Sequence, residues 1–108
     1  MRIAFTGGRD YTNAHVVCCV LDMLDWHNHV LLVGDCPTGL DFIVQKETDR
    51  CEVFRANWDK HGKAAGPIRN GEMLHEADFL IAFPGGKGTE NCVKQAKEMG
   101  ITVLRIEE

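Results

Sequence analysis

The sequence predicts an α/β fold: a minimal Rossmann-like, doubly wound parallel sheet of about five strands with helices on both faces. Three observations predict it. The hydrophobic period switches back and forth between short apolar runs and helical spacing along the whole chain. The apolar runs are near-continuous rather than alternating, as in strands covered on both sides. Glycine stands in each of the loops that follow the first four runs. At 108 residues the chain is one domain, residues 1–108, with right-handed crossovers between its strands. Periodicity does not give the strand order.

The elements follow in sequence. Ile3, Ala4 and Phe5 make the first strand, ended by Gly7 and Gly8. Residues 13–27 make a helix, because Val16, Val17, Val20, Leu21 and Leu24 recur at helical spacing, with Thr12 as N-cap. Val30 to Val33 is a second apolar run, closed by Gly34. Leu40, Ile43 and Val44 mark a second helix, entered from Pro37, Thr38 and Gly39. Residues 52–55 give a weak third strand, and residues 57–66 read as a loop. Pro67 fits the first turn of a helix, where its missing N–H costs nothing, and that helix runs to about Glu76. Phe79 to Phe83 is the clearest strand, stopped by Pro84, Gly85 and Gly86. Val93, Ala96 and Met99 mark a last helix, starting near Thr89 and ended by Gly100. Residues 101–106 form the fifth strand.

Composition narrows the function. Hydrophobic residues are 44% and charged ones 26%, an ordinary globular balance with a net charge of −4. No apolar run approaches the roughly 18 residues of a membrane span, and the first residues do not read as a signal peptide, so a cytoplasmic protein without a membrane partner is expected. A mildly acidic chain is poorly suited to duplex nucleic acid, which calls for a basic face. There is no serine, which excludes a serine nucleophile. The five cysteines lack a CxxC pair and read mainly as reduced, small apolar side chains. The His27–His29 pair falls where a helix gives way to a strand, so neither metal nor cofactor is expected.

Ligands of such folds sit at the carboxyl ends of the strands, near the point where the strand order reverses. The unusual residues fall there: TGGRDYT (6–12), GDCPTGLD (34–41), NWDKHGKAAGPIRN (57–70) and PGGKGTEN (84–91). In the last loop, Gly85, Gly86 and Gly88 let backbone approach an anion at a helix N-terminus, and Thr89 adds a hydroxyl. Thr6, Gly7, Gly8 and Arg9 make a second glycine-rich turn. The competing reading is a pair of plain strand-to-helix turns. This is neither a Walker A motif nor a complete GxGxxG. Arg69 suits bidentate grip on a phosphate or carboxylate, or else a surface ion pair. Asp41 suits a ribose hydroxyl, or else an ordinary helix start. Trp58 and Tyr11 offer rings for a base, although Trp58 equally suits a plug between loop and core. His61 is a weak acid–base candidate.

TGGRDYT, NWDKHGKAAGPIRNGEML and ADFLIAFPGGKGTENCVKQA together resemble the small YspA-type proteins of the SLOG superfamily, over essentially the whole chain. That superfamily includes the lonely-guy phosphoribohydrolases, which release cytokinin bases from nucleoside monophosphates, and the Smf/DprA proteins. Related domains in TIR-linked effectors sense cyclic ADP-ribose-type signals. The resemblance implies binding of a nucleotide or nucleotide-derived molecule. Together with the loop readings above, it makes Thr6, Gly7, Gly8, Arg9, Gly34, Asp41, Trp58, Lys63, Arg69, Asn70, Pro84, Gly85, Gly86, Gly88 and Thr89 the expected ligand-binding residues. Arg69 and Met73 keep the spacing of the phosphoribohydrolase Arg-Lys…Met segment, with Asn70 in the lysine position. The PGGxGTxxE signature matches from Pro84 to Thr89, but its catalytic glutamate position is Cys92. Glu90 lies two residues earlier and points about 160° away on a helix, so it is no simple substitute. GDCPTGLD loosely resembles the superfamily's GxARGxD segment, keeping Gly39 and Asp41.

Two functions of different class stand open. One is a binding module that senses, carries or sequesters a nucleotide-derived ligand, which the missing glutamate favours. The other is a phosphoribohydrolase-like enzyme with a rearranged acid–base group, for which Arg69 and Glu90 are the catalytic candidates. The expected partner is the small-molecule ligand, with a homodimer as the assembly to test.

Overall fold

The structure is a computed structural model that describes residues 1–108. The apolar runs form β1 (Arg2–Thr6), β2 (Val30–Gly34), β3 (Glu52–Phe54), β4 (Phe79–Ala82) and β5 (Thr102–Arg105). All four pairings are parallel, in the order β3-β2-β1-β4-β5. Between them lie α1 (Ala14–Leu24), α2 (Gly39–Glu47), the single turn α3 (Trp58–His61), α4 (Ala65–His75) and α5 (Lys87–Glu98). The expected minimal Rossmann-like fold is observed.

Strand side chains alternate between faces, and the two sides of the sheet carry separate cores. Ile3, Phe5, Leu31, Val33, Ile81 and Phe83 pack with Val17 and Leu21 of α1 and with Leu40, Ile43 and Val44 of α2. Ala4, Leu32, Leu80 and Ala82 pack with Met73 and Leu74 of α4 and with Cys92, Val93 and Ala96 of α5. β1, β2 and β4 are therefore apolar at successive positions because both faces are covered. No helix is long and apolar enough to cross a membrane.

Three local expectations need correction. The N-cap of α1 is Asn13, whose side-chain oxygen accepts from the Val16 amide at 3.2 Å, and not Thr12. That helix stops at Leu24 because Asp25 turns left-handed at φ 54°, and Trp26–Asn28 is a 3₁₀ turn. Residues 57–66 are not a loop. Asn57 caps α3 by accepting from the Lys60 amide at 3.1 Å, and a 3₁₀ turn over Gly62–Ala64 feeds straight into α4. Pro67 does fall in the first turn of α4, and Gly100 follows α5 at φ 75°, where a left-handed residue ends a helix.

Candidate functional site

β1 and β4 are neighbours, but the chain leaves β1 toward α1 on one face and leaves β4 toward α5 on the other. A crevice opens between two such departures. The two loops are stitched at its base: the Gly8 amide donates to the Pro84 carbonyl at 2.9 Å and the Phe83 amide to the Thr6 carbonyl at 2.8 Å. The glycines make this approach possible. A Cβ on Gly85 would lie 2.6 Å from the Gly8 nitrogen and would also run into the Thr89 hydroxyl. A Cβ on Gly34 would lie 2.6 Å from Arg69 Nη1 and 2.8 Å from Asp41 Oδ2. Gly86 and Gly88 differ, because a Cβ on either meets nothing within 4 Å. Their backbone borders open space.

The crevice is a cleft of about 780 Å³, within the range of roughly 300–1,000 Å³ usual for small-molecule sites. Thr6, Gly7, Gly8, Arg9, Gly34, Asp41, Trp58, Arg69, Asn70, Pro84, Gly85, Gly86, Gly88 and Thr89 line it together. Lys63 does not: it is exposed in the 3₁₀ turn before α4, outside the cleft wall. Glu90 is also outside. It pairs with Arg105 at 2.6 Å on the outer side of α5, and that hydrogen bond holds its carboxyl below the usual range. Tyr11 touches the cleft, but its ring is buried against Phe83 at 5.5 Å and its hydroxyl donates to Glu108 at 2.8 Å. It is pinned rather than free to stack. Trp58 is 55% exposed and so is no plug. His61 does not reach the cleft.

Lys87, Cys36 and Met73 also line the cleft, outside the set of residues expected from the sequence. Lys87 had a readable signal, a cation inside PGGKGTEN. Met73 had one in the spacing it keeps from Arg69 within the Arg-Lys…Met segment.

The electrostatics centre on Arg69. Its Nη1 donates to Asp35 Oδ1 at 2.9 Å and its Nε to Asn70 Oδ1 at 3.0 Å, and its side chain is only 15% exposed. Asn70 reaches on to the Gly88 carbonyl at 3.4 Å, tying α4 to the start of α5. Asp41 accepts from the Cys36 amide at 3.2 Å. Burial pushes its carboxyl up to about 6, against the opposing pull of the Cys36 amide and Arg69. Cys92 is fully buried, and burial pushes its thiol up to about 11 although Thr6 and Arg69 act the other way. It is neutral at physiological pH.

The N-terminus of α5 has no side-chain cap, and the first amide of the helix ladder is Glu90 donating to the Gly86 carbonyl at 3.0 Å. The amides of Lys87, Gly88 and Thr89 precede it and have no partner within the helix. Arg9 and Lys87 take part in no ion pair. No three His, Cys, Asp or Glu side chains come together to hold a metal ion.

No family model matches the chain. One stretch of 56 residues is 46% identical to the Gene 61 protein of Mycobacterium phage D29, covering 49% of this chain and 45% of that relative's length. The chain is thus similar, over about half of its length, to a phage protein whose name states no activity.

Proposed function

We propose that this protein is a YspA-type member of the SLOG superfamily that binds a nucleotide or nucleotide-derived small molecule by its phosphate, in order to sense, carry or sequester it. One observation carries the reading: three kinds of anion donor converge on the switch-point cleft. They are the unpartnered amides at the start of α5, the two cations Arg9 and Lys87 that lack ion pairs, and the Arg69 guanidinium. Amides at a helix N-terminus favour a phosphate through both hydrogen bonds and the helix dipole. The open space around Gly86 and Gly88 lets a phosphate reach them. Five free cysteines fit a reducing, cytoplasmic setting.

Binding without hydrolysis is favoured because Cys92 is a neutral, buried thiol and Glu90 is spent on Arg105 outside the cleft. One observation favours the enzyme reading. Asp41 lines the cleft with a carboxyl raised to about 6, the property expected of a general acid or base near neutral pH. Two measurements separate the readings. Mass spectrometry of small molecules released from the heat-denatured protein should find a phosphorylated nucleotide derivative. Chromatography of adenosine monophosphate incubated with the protein should show it intact. Stabilisation by unphosphorylated ligands alone would remove the anion argument.

A further inference from the structure

Beside the main cleft, and sharing part of its wall, lies a recess of about 370 Å³ that the phosphate reading leaves without an occupant. Arg9, Trp58 and Arg69 line both spaces, and Asp35 and Thr38 belong to the recess alone. The two tryptophans of the chain differ sharply: Trp26 is 9% exposed, whereas Trp58 is 55% exposed. A large apolar ring left in water forfeits the burial that usually justifies it. The fold nevertheless holds this ring in place. Asn57 caps its turn, and a Cβ on Gly66 would stand 3.5 Å from Cη2, so the ring edge rests against α4. Its indole N–H donates to no protein acceptor.

Arg9, a planar guanidinium without an ion pair, faces the same recess. Asp35 supplies the polar edge. Its Oδ1 accepts from Arg69 at 2.9 Å, and its Oδ2 has no protein donor.

We propose that this recess is the base subsite: a planar heterocycle stacks on Trp58, and an exocyclic amino group on that ring donates to the second Asp35 oxygen. The inference rests on the phosphate reading and names the other end of the same ligand. Aromatic stacking is tolerant of ring type, whereas an acceptor carboxylate is not. Bases that carry an amino group (adenine, guanine, cytosine) therefore bind more tightly than uracil.

The probes are the four ribonucleoside 5′-monophosphates, with ribose 5-phosphate as the base-free control, titrated by calorimetry and by tryptophan fluorescence. The expected result has three parts. An amino-bearing nucleotide binds roughly tenfold or more tighter than ribose 5-phosphate, the scale of one base stacked on an aromatic ring. Trp58→Ala brings that nucleotide down to the affinity of ribose 5-phosphate, whereas Trp58→Phe keeps most of the affinity but loses the fluorescence quench. Cytidine monophosphate outbinds uridine monophosphate, and Asp35→Asn erases that difference. Ribose 5-phosphate binding as tightly as every nucleotide would overturn the base subsite while leaving the phosphate reading standing. So would an unchanged ratio in Trp58→Ala. Failure of all five probes to bind would remove both.

Discussion

The amide of Gly8 donates to the carbonyl of Pro84 across 2.9 Å, joining the loop after β1 to the loop after β4. The two walls of the cleft are thereby one backbone unit, and side chains are excluded from the seam. A Cβ on Gly8 would already stand 3.0 Å from the Gly85 Cα.

Gly85→Ala should therefore act on the fold, and Gly86→Ala on the ligand. The added methyl at 85 would lie 2.6 Å from the Gly8 nitrogen, in a contact with backbone that cannot yield cheaply. Overpacking of that kind costs about 1–3 kcal/mol, read by chemical denaturation. At Gly86, φ is −100° and an added Cβ would meet no neighbouring element within 4 Å, so alanine should leave stability within about 0.5 kcal/mol of the original. Its methyl nevertheless intrudes on the space offered to a phosphate. A Gly86→Ala protein that melts normally and binds phosphorylated ligands normally would show that the anion does not sit at the start of α5.

Arg69→Ala should weaken both binding and folding. The sequence suggests an exposed helix-start arginine of little structural weight. The observed side chain is mostly buried and paired with Asp35, and it opposes the raised protonation of Asp41. Losing the charged hydrogen bond to the ligand should cost roughly 1.5–3 kcal/mol of affinity by calorimetry. Stability should fall as well, by about 1–3 kcal/mol, because Asp35 and Asn70 lose their donor. Arg69→Lys keeps the charge without the fork, so it should recover stability better than affinity. An unchanged affinity in Arg69→Ala would demote the residue to an internal brace.

Asp41 makes stability depend on pH in an unusual direction. Its carboxyl titrates near 6 in the folded chain, above the ordinary value of roughly 3.9 for the unfolded one. Between those values the folded state holds the proton that the unfolded state has released, so this group makes stability fall as pH rises. The loss begins near pH 4 and is complete above about pH 6, and a carboxyl raised that far accounts for at most about 3 kcal/mol. Asp41→Asn keeps an acceptor for the Cys36 amide and removes the charge. It should match the native chain near pH 4 and exceed it in urea stability by about 1–3 kcal/mol at pH 7.5. Equal stability of the two proteins at both pH values would show that the carboxyl titrates normally.

What the sequence discloses follows from how local each signal is. Gly85, Gly86, Gly88 and Thr89 are legible because glycines beside a helix start have few uses, and the cleft gathers all four. Strand order is not legible, since the β1–β4 pairing joins Ile3 to Phe79 across most of the chain. α3 is hidden because four residues carry no period, and only the Asn57 cap and Gly62 at φ 56° define it. The sequence sets Lys63 at the ligand for the same reason: with its segment read as loop, every basic residue there is free to face the ligand, whereas the turn it occupies leaves it outside the cleft wall. The direction of Glu90 is readable, because 100° per residue fixes its phase relative to Cys92. The Asp41 environment is not, because its burial depends on Arg69 and Gly34 arriving from two other elements.

The native chain should release no free adenine from adenosine monophosphate. Cleaving an N-glycosidic bond builds positive charge on the sugar, which a placed carboxylate stabilises or which water activated by one relieves. At the matching position stands Cys92, wholly buried and with its thiol raised to about 11. A neutral thiol can do neither. The same burial predicts its labelling. In the folded protein at pH 8, iodoacetamide should modify the exposed Cys19 and leave Cys92 untouched until denaturant is added. Cys92→Glu is not a simple repair: it would bury a carboxylate at a fully buried position that already feels the like charge of Asp41, and it would force a longer side chain into the core. That variant should lose stability before it gains turnover. Chromatography of the reaction mixture decides the matter. Steady release of base by the native chain, abolished in Asp41→Asn but not in Cys92→Ala, would make Asp41 the working carboxylate and the protein an enzyme.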